Sequence, residues 1–238
     1  MPVLMYHNVT TNDNNSIGLT ISISKFEEQL QYLVKKNFSS YFVSEIYNNT
    51  NIKGKGLIIT FDDVTENQLL YAIPLLKKYN FKATFFIPFS YLGKTDLWNE
   101  GLDATGEKIM TIDQLKSIDP NIIEFAHHSF LHKKYSTLTH KEIQEDFDKS
   151  FELISKNDLN VFPVLAYPYG NYPKKGNHKT DFFKILEKNN IKMAFRIGNK
   201  INKFPFKNPY EIKRLDILGQ DKLWKFKLKL IFGKLKLF

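Results

Sequence analysis

The chain has 238 residues, of which 42% are apolar and 25% charged, a composition typical of a folded globular protein rather than a disordered one. It contains no cysteine, which excludes disulfides, thiolate metal sites and a cysteine nucleophile, so any metal must be held by His, Asp or Glu. The N-terminus carries no secretory signal and no apolar run of about 18 residues occurs, which predicts a cytoplasmic protein.

The formal net charge of +9 is unevenly distributed along the chain. Residues 1–173 hold 16 basic and 20 acidic side chains, whereas residues 174–238 hold 18 basic and 5 acidic ones, a net charge of 18 − 5 = +13. Such a basic end suits an anionic partner. Only two of the basic residues are arginines, and arginine is favoured for bidentate recognition of bases and phosphates, so we predict no nucleic-acid partner.

Apolar runs alternate with stretches of helical period, the pattern of βα units around a parallel sheet or barrel. The first half predicts a helix over 24–36, opened by a Ser24–Glu27 capping box, a buried strand over 56–61, a helix over 66–79 and a strand over 83–87. The second half predicts strands over 121–126, 161–167, 192–197 and 211–217, with helices over 140–156 and 180–189.

Polar groups follow the ends of three predicted strands: Asp62-Asp63, the histidines of 127–132, and Pro168-Tyr169-Gly170. Active sites of barrel-like α/β folds are built at this end of the strands. Two adjacent carboxylates can divide cation binding and proton transfer between them, although an aspartate here can also cap the next helix. The four-residue spacing of His128 and His132 suits metal chelation, and His127 could replace His128 as a ligand. The alternative to a metal site is a cluster of histidines in a polar surface loop.

Four motifs together resemble the polysaccharide deacetylase family, the family-four carbohydrate esterases. They are Thr60-Phe61-Asp62-Asp63, His128-Ser129-Phe130-Leu131-His132, Ala166-Tyr167-Pro168-Tyr169-Gly170, and Met5-Tyr6-His7, which is similar to a subgroup with an N-terminal histidine motif. The resemblance implies a distorted, incomplete (β/α) barrel of seven parallel strands over residues 1–221.

The resemblance also implies roles for individual residues. Asp63, His128 and His132 would bind a divalent metal, most often Zn²⁺, and Asp62 would be the general base. His7 would protonate the leaving amine. The turn of Pro168 and Tyr169 would bind substrate, with the Tyr169 backbone N–H stabilising the oxyanion.

Three positions bear on these roles. Ala166 stands where many members of the family carry arginine, which predicts that Asp62 lacks its usual charged partner. Val64 replaces a usual glycine and is expected to narrow the site. No C-terminal histidine motif is visible, so the acid role depends on His7, whose alternative is a core or capping histidine. Of the aromatic residues near the motifs, we expect only Tyr169 to contact sugar.

The last 17 residues, 222–238, contain six lysines and no acid. As a helix, they place Lys222, Lys225, Lys229 and Lys236 close together, with Trp224, Leu228, Ile231 and Phe232 spread over the other side. This basic tail is expected either to pack its apolar side on the barrel or to contact an anionic membrane at the inner face.

The resemblance predicts a metal-dependent hydrolase that removes N-acetyl or N-formyl groups from amino sugars of a bacterial surface polysaccharide or its lipid-linked precursor. Two other interpretations stay open. One is an amidase acting on a non-sugar N-acyl substrate, and the other is a catalytically impaired barrel that binds glycan or a biosynthetic partner.

Overall fold

The computed structural model describes residues 1–52, 54–96, 98 and 106–233. Seven parallel strands pair in a closed ring, because the N-terminal strand Val3–Tyr6 pairs on one side with the strand Lys55–Asp62 and on the other with the strand Ile212–Asp216. In ring order these strands are β1 (Val3–Tyr6), β5 (Lys55–Asp62), β6 (Ala83–Ile87), β7 (Ile123–His127), β8 (Val161–Ala166), β9 (Met193–Ile197) and β10 (Ile212–Asp216). The predicted seven-stranded α/β barrel is therefore confirmed.

The ring is distorted, as expected. The β1–β10 pairing joins only Leu4 to Leu215 and Met5 to Asp216, and the β7–β8 register shifts between Ala126 and His127. The short strand β4 (Phe38–Ser40) lies outside the ring, on the first residues of β5. Two further short strands, β2 (Asn8–Thr10) and β3 (Thr20–Ser22), form a small parallel sheet.

Most of the predicted helices form, with local differences at their ends. The helices are α1 (Ile23–Lys35), α2 (Val43–Asn48), α3 (Ile73–Lys78), α4 (Ile112–Lys116), α5 (His140–Lys156), α6 (Gly176–Lys188) and α7 (Leu223–Phe232). The predicted capping box at Ser24 is wrong, because α1 begins one residue earlier and Ser24 Oγ donates to Asp13 instead. The helix predicted over 66–79 is divided into a π-helical turn, Gln68–Ala72, and α3, which starts beside Pro74.

Strand alternation separates two packing layers. Val3, Ile58, Phe86, Ala126, Val164, Ala166, Phe195 and Ile212 belong to one buried cluster, which fills the barrel interior. Their neighbours in the strands, such as Leu4, Ile59 and Phe85, belong to a second cluster with Phe26 and Leu30 of α1. This alternation directs every second strand residue into the barrel.

The final helix α7 packs against α1. Phe226 is buried with its ring centroid 6.3 Å from that of Tyr32, and Leu230 lies in the same core cluster. Lys229 is 3% exposed, pairs with Asp221 and donates to the Asp216 carbonyl at 2.5 Å. Lys229, which the helical pattern places close to Lys222 and Lys225, is therefore buried, unlike the exposed Lys222. Within the part of the chain that the structure describes, no helix has the length and apolar character needed to cross a membrane.

Candidate active site

A cavity of about 740 Å³ opens at the carboxyl-terminal ends of the barrel strands. Its volume is in the range of pockets that enclose small ligands. The predicted site residues that line it are His7, Asp62, Asp63, His128, His132 and Tyr169. Three separate sequence motifs and the N-terminal strand therefore converge on one site.

Asp63, His128 and His132 form a compact, buried cluster. Asp63 Oδ1 lies 3.5 Å from His128 Nε2 and 3.4 Å from His132 Nε2. One ligand atom from each residue lies within 4.8 Å of the other two. Two imidazole nitrogens and one carboxylate oxygen in this arrangement leave further coordination positions open, as a catalytic metal site requires.

The orientation of His128 decides which of the two adjacent histidines joins the cluster. His128 Nδ1 lies 2.8 Å from the Ala166 carbonyl oxygen, which can accept its proton and so leaves Nε2 free towards Asp63. His127 lies instead between the rings of Phe89 and Phe151, at centroid distances of 5.3 and 5.4 Å. The structure therefore places His128 in the cluster and His127 outside it.

Arg214 is the charged partner of Asp62. Its guanidinium donates two hydrogen bonds to the carboxylate, 2.5 Å from Nη1 to Oδ1 and 2.7 Å from Nη2 to Oδ2, and both side chains are buried. The expectation, drawn from Ala166, that Asp62 lacks a positively charged partner is wrong. Position 166 on β8 holds alanine, and the guanidinium comes instead from β10, which is separated from the strand of Asp62 only by β1.

The electrostatics of the cluster follow from burial and these contacts. Burial alone raises the pKa of Asp62, but the charge of Arg214 and its hydrogen bonds to the carboxylate outweigh that effect and hold the pKa well below the ordinary range. Burial likewise opposes ionisation of Asp63, and the contact with His132 reverses that effect and lowers its pKa. Burial lowers the pKa of His128 to about 4, so its imidazole is neutral at pH 7, the form that binds a metal.

His7 follows β1 and faces the same cavity. Its Nε2 lies 3.7 Å from Asp62 Oδ2, on the Asp62 side of the Asp63 cluster. Position 7 reaches the site because β1 pairs with β5 in register, Tyr6 beside Phe61. The alternative of a core histidine does not hold, since the ring is part of the cavity wall.

The Pro168–Gly170 turn presents Tyr169 at the mouth of the cavity. Tyr169 is 48% exposed, and its ring centroid lies 4.9 Å from that of His132. Gly170 has φ +61°, and a Cβ there would approach Ile197 N to 2.9 Å, so only glycine lets the turn sit so closely on β9. Pro168 is buried and is not part of the cavity wall, so its contribution is to the shape of the turn.

Val64 does not narrow the cavity, contrary to expectation. Its side chain is fully buried in the outer core cluster and is absent from the cavity wall. Val64 has φ 45°, however, and Asp63 before it has φ 74°, both in the left-handed region that β-branched and acidic residues enter at a cost. The backbone therefore bends sharply here without glycine, which turns the Asp63 carboxylate towards the histidines.

Ser129 and His132 also have positive φ, 68° and 52°. Their loop is held from within by Ser129 Oγ, which accepts a hydrogen bond from His132 N at 2.8 Å. It is held from outside by Asp146 of α5, whose carboxylate accepts hydrogen bonds from Phe130 N and Leu131 N, both at 2.9 Å. The histidine loop is thus fixed by a buried side chain from the next helix.

Sequence reasoning missed several cavity residues. The ring of Trp98 stacks on that of His132 at a centroid distance of 3.9 Å. Other unpredicted members of the wall are Ile17, Gly18, Leu19, Thr20, Asp96, Glu107, Ile197 and Arg214. Most of these lie in loops without a motif. Arg214 had a detectable pattern, since it stands two residues after the inward-facing Ile212 on the same strand.

A second cavity of about 410 Å³ lies at the opposite end of the barrel, beside the start of β7. Its described wall contains Glu124 but no histidine. Glu124 accepts hydrogen bonds from Val43 N at 3.0 Å and from Thr84 Oγ1 at 2.9 Å, so it anchors the start of α2. Of these two cavities, the one at the carboxyl-terminal ends of the strands is lined by the predicted site residues.

A parallel barrel with reactive side chains gathered at this opening is the architecture of a barrel enzyme. The profile of the polysaccharide deacetylase family matches residues 49–180, more than half of the chain. The chain belongs to the polysaccharide deacetylase family.

Individual relatives agree with this assignment. A Staphylococcus aureus poly-β-1,6-N-acetyl-D-glucosamine N-deacetylase is 28% identical over 209 residues, covering 82% of this chain and 67% of its own length. The chain spans about two thirds of the length of the curated relatives it matches. Among solved structures, the Streptococcus pyogenes deacetylase PplD, in complex with acetate, superposes with a TM-score of 0.77 at 21% identity over 97% of both chains. IcaB from Ammonifex degensii gives 0.73 at 23% identity over 91% of both chains. The last two share the fold.

Proposed function

We propose that this chain is a metal-dependent hydrolase that removes N-acetyl groups from amino sugars of a bacterial surface polysaccharide or of its lipid-linked precursor. The observation that carries the proposal is the buried Asp63–His128–His132 cluster directly beside the Arg214-paired Asp62 in one open cavity. The names of the Staphylococcus aureus relative and of the family support the substrate class.

The residues present fit a divalent metal, for which we propose Zn²⁺. Asp63 Oδ1 is buried and meets no hydrogen-bond donor among the described residues, although two imidazole nitrogens lie within 3.5 Å of it. A cation between these three atoms would satisfy all of them, and nitrogen with carboxylate ligands is a set that zinc accepts. When bound, such a metal polarises an amide carbonyl and makes water more acidic.

Asp62 is the proposed general base. Arg214 keeps its carboxylate ionised and fixes its plane through both oxygens, so a water molecule entering between Asp62 and Asp63 meets an acceptor whose direction does not change. The proton of the attacking water passes to an Asp62 oxygen, and the water oxygen forms the new bond to the acyl carbon.

His7 is the proposed general acid, and Tyr169 the proposed oxyanion donor. Expulsion of a sugar amine requires a proton on its nitrogen, and His7 is the imidazole in the cavity that stands outside the Asp63 cluster. Tyr169 lines the cavity in a left-handed turn, with φ 57°, and its ring centroid lies 4.9 Å from that of His132. One N–H donor to a developing oxyanion contributes about 3 kcal/mol.

Acetate release tests this function. We expect the purified protein, supplied with Zn²⁺ or Co²⁺, to release acetate from at least one class in a panel of lipid-linked, nucleotide-linked and polymeric N-acetylated amino sugars. A chelator should abolish the release, and added metal should restore it. Absence of both bound metal and acetate release across the panel would contradict the proposal and favour a barrel that only binds glycan.

A further inference from the structure

The helix α7 carries apolar side chains on two opposite faces. Phe226 and Leu230 pack inward, whereas Trp224, Ile231 and Phe232 are 54%, 61% and 62% exposed. At about 100° per residue, these three residues and the half-buried Leu228 fall within a sector of roughly 100° opposite the buried face. We call Trp224, Leu228, Ile231 and Phe232 the outer stripe.

Lysines border the outer stripe on both edges. Lys227 lies at one edge of the stripe, and its Nζ is 5.0 Å from the centre of the Tyr32 ring. Lys225 lies at the other edge, and its Nζ is 2.6 Å from Asp221 Oδ1. Lys222 is exposed at the start of the helix. No acidic residue occurs from 222 to the end of the chain. Long lysine side chains beside an apolar stripe can keep their charges in water while the stripe enters an apolar phase.

The start of α7 adjoins the mouth of the active-site cavity. Gly219 N donates to the Gly18 carbonyl at 2.9 Å, and Ser16 Oγ donates to the Gly219 carbonyl at 2.7 Å. The loop held in this way carries Ile17 and Leu19, which line the cavity. A surface bound along α7 would therefore lie close to the entrance of the site.

We propose that the outer stripe binds the surface of an anionic lipid membrane, with Trp224, Ile231 and Phe232 at the headgroup boundary and the flanking lysines on anionic headgroups. The positive charge around the outer stripe is the reason for choosing an anionic membrane as the partner. Helix α7 contains lysines and no acidic residue, and Asp221, which pairs with Lys225, is buried. An exposed apolar stripe edged by lysines matches an anionic interface, whereas a protein partner usually meets both signs of charge in its rim. The proposal concerns binding alone and does not rest on the proposed reaction.

Sedimentation of the full-length protein with vesicles tests the proposal. Vesicles of phosphatidylcholine with phosphatidylglycerol should bind the protein, and pure phosphatidylcholine vesicles should bind it much more weakly. The variant Trp224→Gln/Ile231→Gln/Phe232→Gln should lower the partition coefficient by about tenfold or more. Lys222→Gln/Lys227→Gln should also lower it, most clearly at low salt.

Matched control variants distinguish an effect specific to the outer stripe from the effect of replacing any exposed leucine or lysine. Leu70→Gln replaces another leucine that is 60% exposed, and Lys141→Gln replaces a lysine whose side chain is 87% exposed; neither should change vesicle binding. Circular dichroism and melting temperature establish that each variant folds.

Tryptophan fluorescence gives a second test on the unaltered protein. The chain contains two tryptophans, Trp98 and Trp224. Anionic vesicles should shift the emission to shorter wavelength, and Trp224→Phe should remove that shift while retaining binding. Equal binding to neutral and anionic vesicles, or no binding, would overturn the proposal. A dimer in solution that the triple Gln variant dissociates would also overturn it, because the stripe would then be a protein interface.

Discussion

Arg214 and Asp62 form a buried ion pair in which each partner depends on the other. Both side chains are at most 3% exposed, and two hydrogen bonds join them. Removing one partner of such a pair leaves a buried charge without compensation, whereas removing both leaves none. We therefore propose that Arg214 is a positioning residue that acts through Asp62.

A double-mutant cycle measures this dependence. Arg214→Met should lower the free energy of unfolding by about 3–5 kcal/mol and reduce turnover strongly. Arg214→Met/Asp62→Asn should recover much of the lost stability but none of the turnover, because the coupling between the two residues is removed together with both charges. Urea unfolding and acetate release provide the two measurements. Additive stability losses in the double variant would contradict the account.

The family motif predicts an arginine only at position 166, which holds alanine in this chain. The motif therefore does not predict Arg214 as the partner of Asp62. In the barrel, residues of different strands meet in the interior, so a guanidinium from β10 can occupy the space beside β5. Alternation along β10 makes Arg214 face inward like Ile212. The sequence does not show, however, that closure of the ring brings β10 close to β5 and Asp62.

At the scale of elements, the strand ends were predictable and the loops after them were not. The strand Ala83–Ile87 and helix α5, with Thr139 as its N-cap, agree with expectation because buried apolar runs and capping boxes are local signals. The left-handed backbone at Asp63, Val64 and His132 is not local, since it depends on tertiary hydrogen bonds that compensate its cost.

Asp146 of α5 is one source of that compensation. It accepts hydrogen bonds from the backbone of Phe130 and Leu131 and from the Tyr135 hydroxyl at 3.1 Å. Burial raises its pKa, and these donors oppose that effect. The His128 and His132 side chains are therefore aligned by a residue that touches neither of them.

We expect Asp146→Ala to weaken metal affinity by roughly 10–100-fold, the range typical of residues that support metal ligands. Asp146→Asn should recover part of that loss, because its amide oxygen still accepts one hydrogen bond. Competition with a coloured chelator measures the affinity. Asp148→Ala on the exposed side of the same helix is the control. Unchanged metal affinity in the alanine variant would show that the loop keeps its shape without Asp146.

At the scale of the whole molecule, the N-terminal strand completes the ring. Because β1 lies between β5 and β10, residues from both ends of the chain meet at the site: His7 from the beginning and Arg214 from the basic last quarter. The cluster residues Asp63, His128 and His132 all lie within residues 1–173, whose net charge is 16 − 20 = −4. The basic residues 174–238 contribute Arg214, one of the two arginines of the chain, which pairs with Asp62.

The division of labour between Asp62 and Asp63 is the central claim, and metal stoichiometry measured together with acetate release tests it most directly. We predict that Asp62→Asn retains bound metal but releases no acetate, because it loses the proton acceptor and keeps the Asp63 cluster. Asp63→Asn should lose both the metal and the activity. Loss of metal from Asp62→Asn with retention in Asp63→Asn, or continued acetate release by Asp62→Asn, would contradict the account.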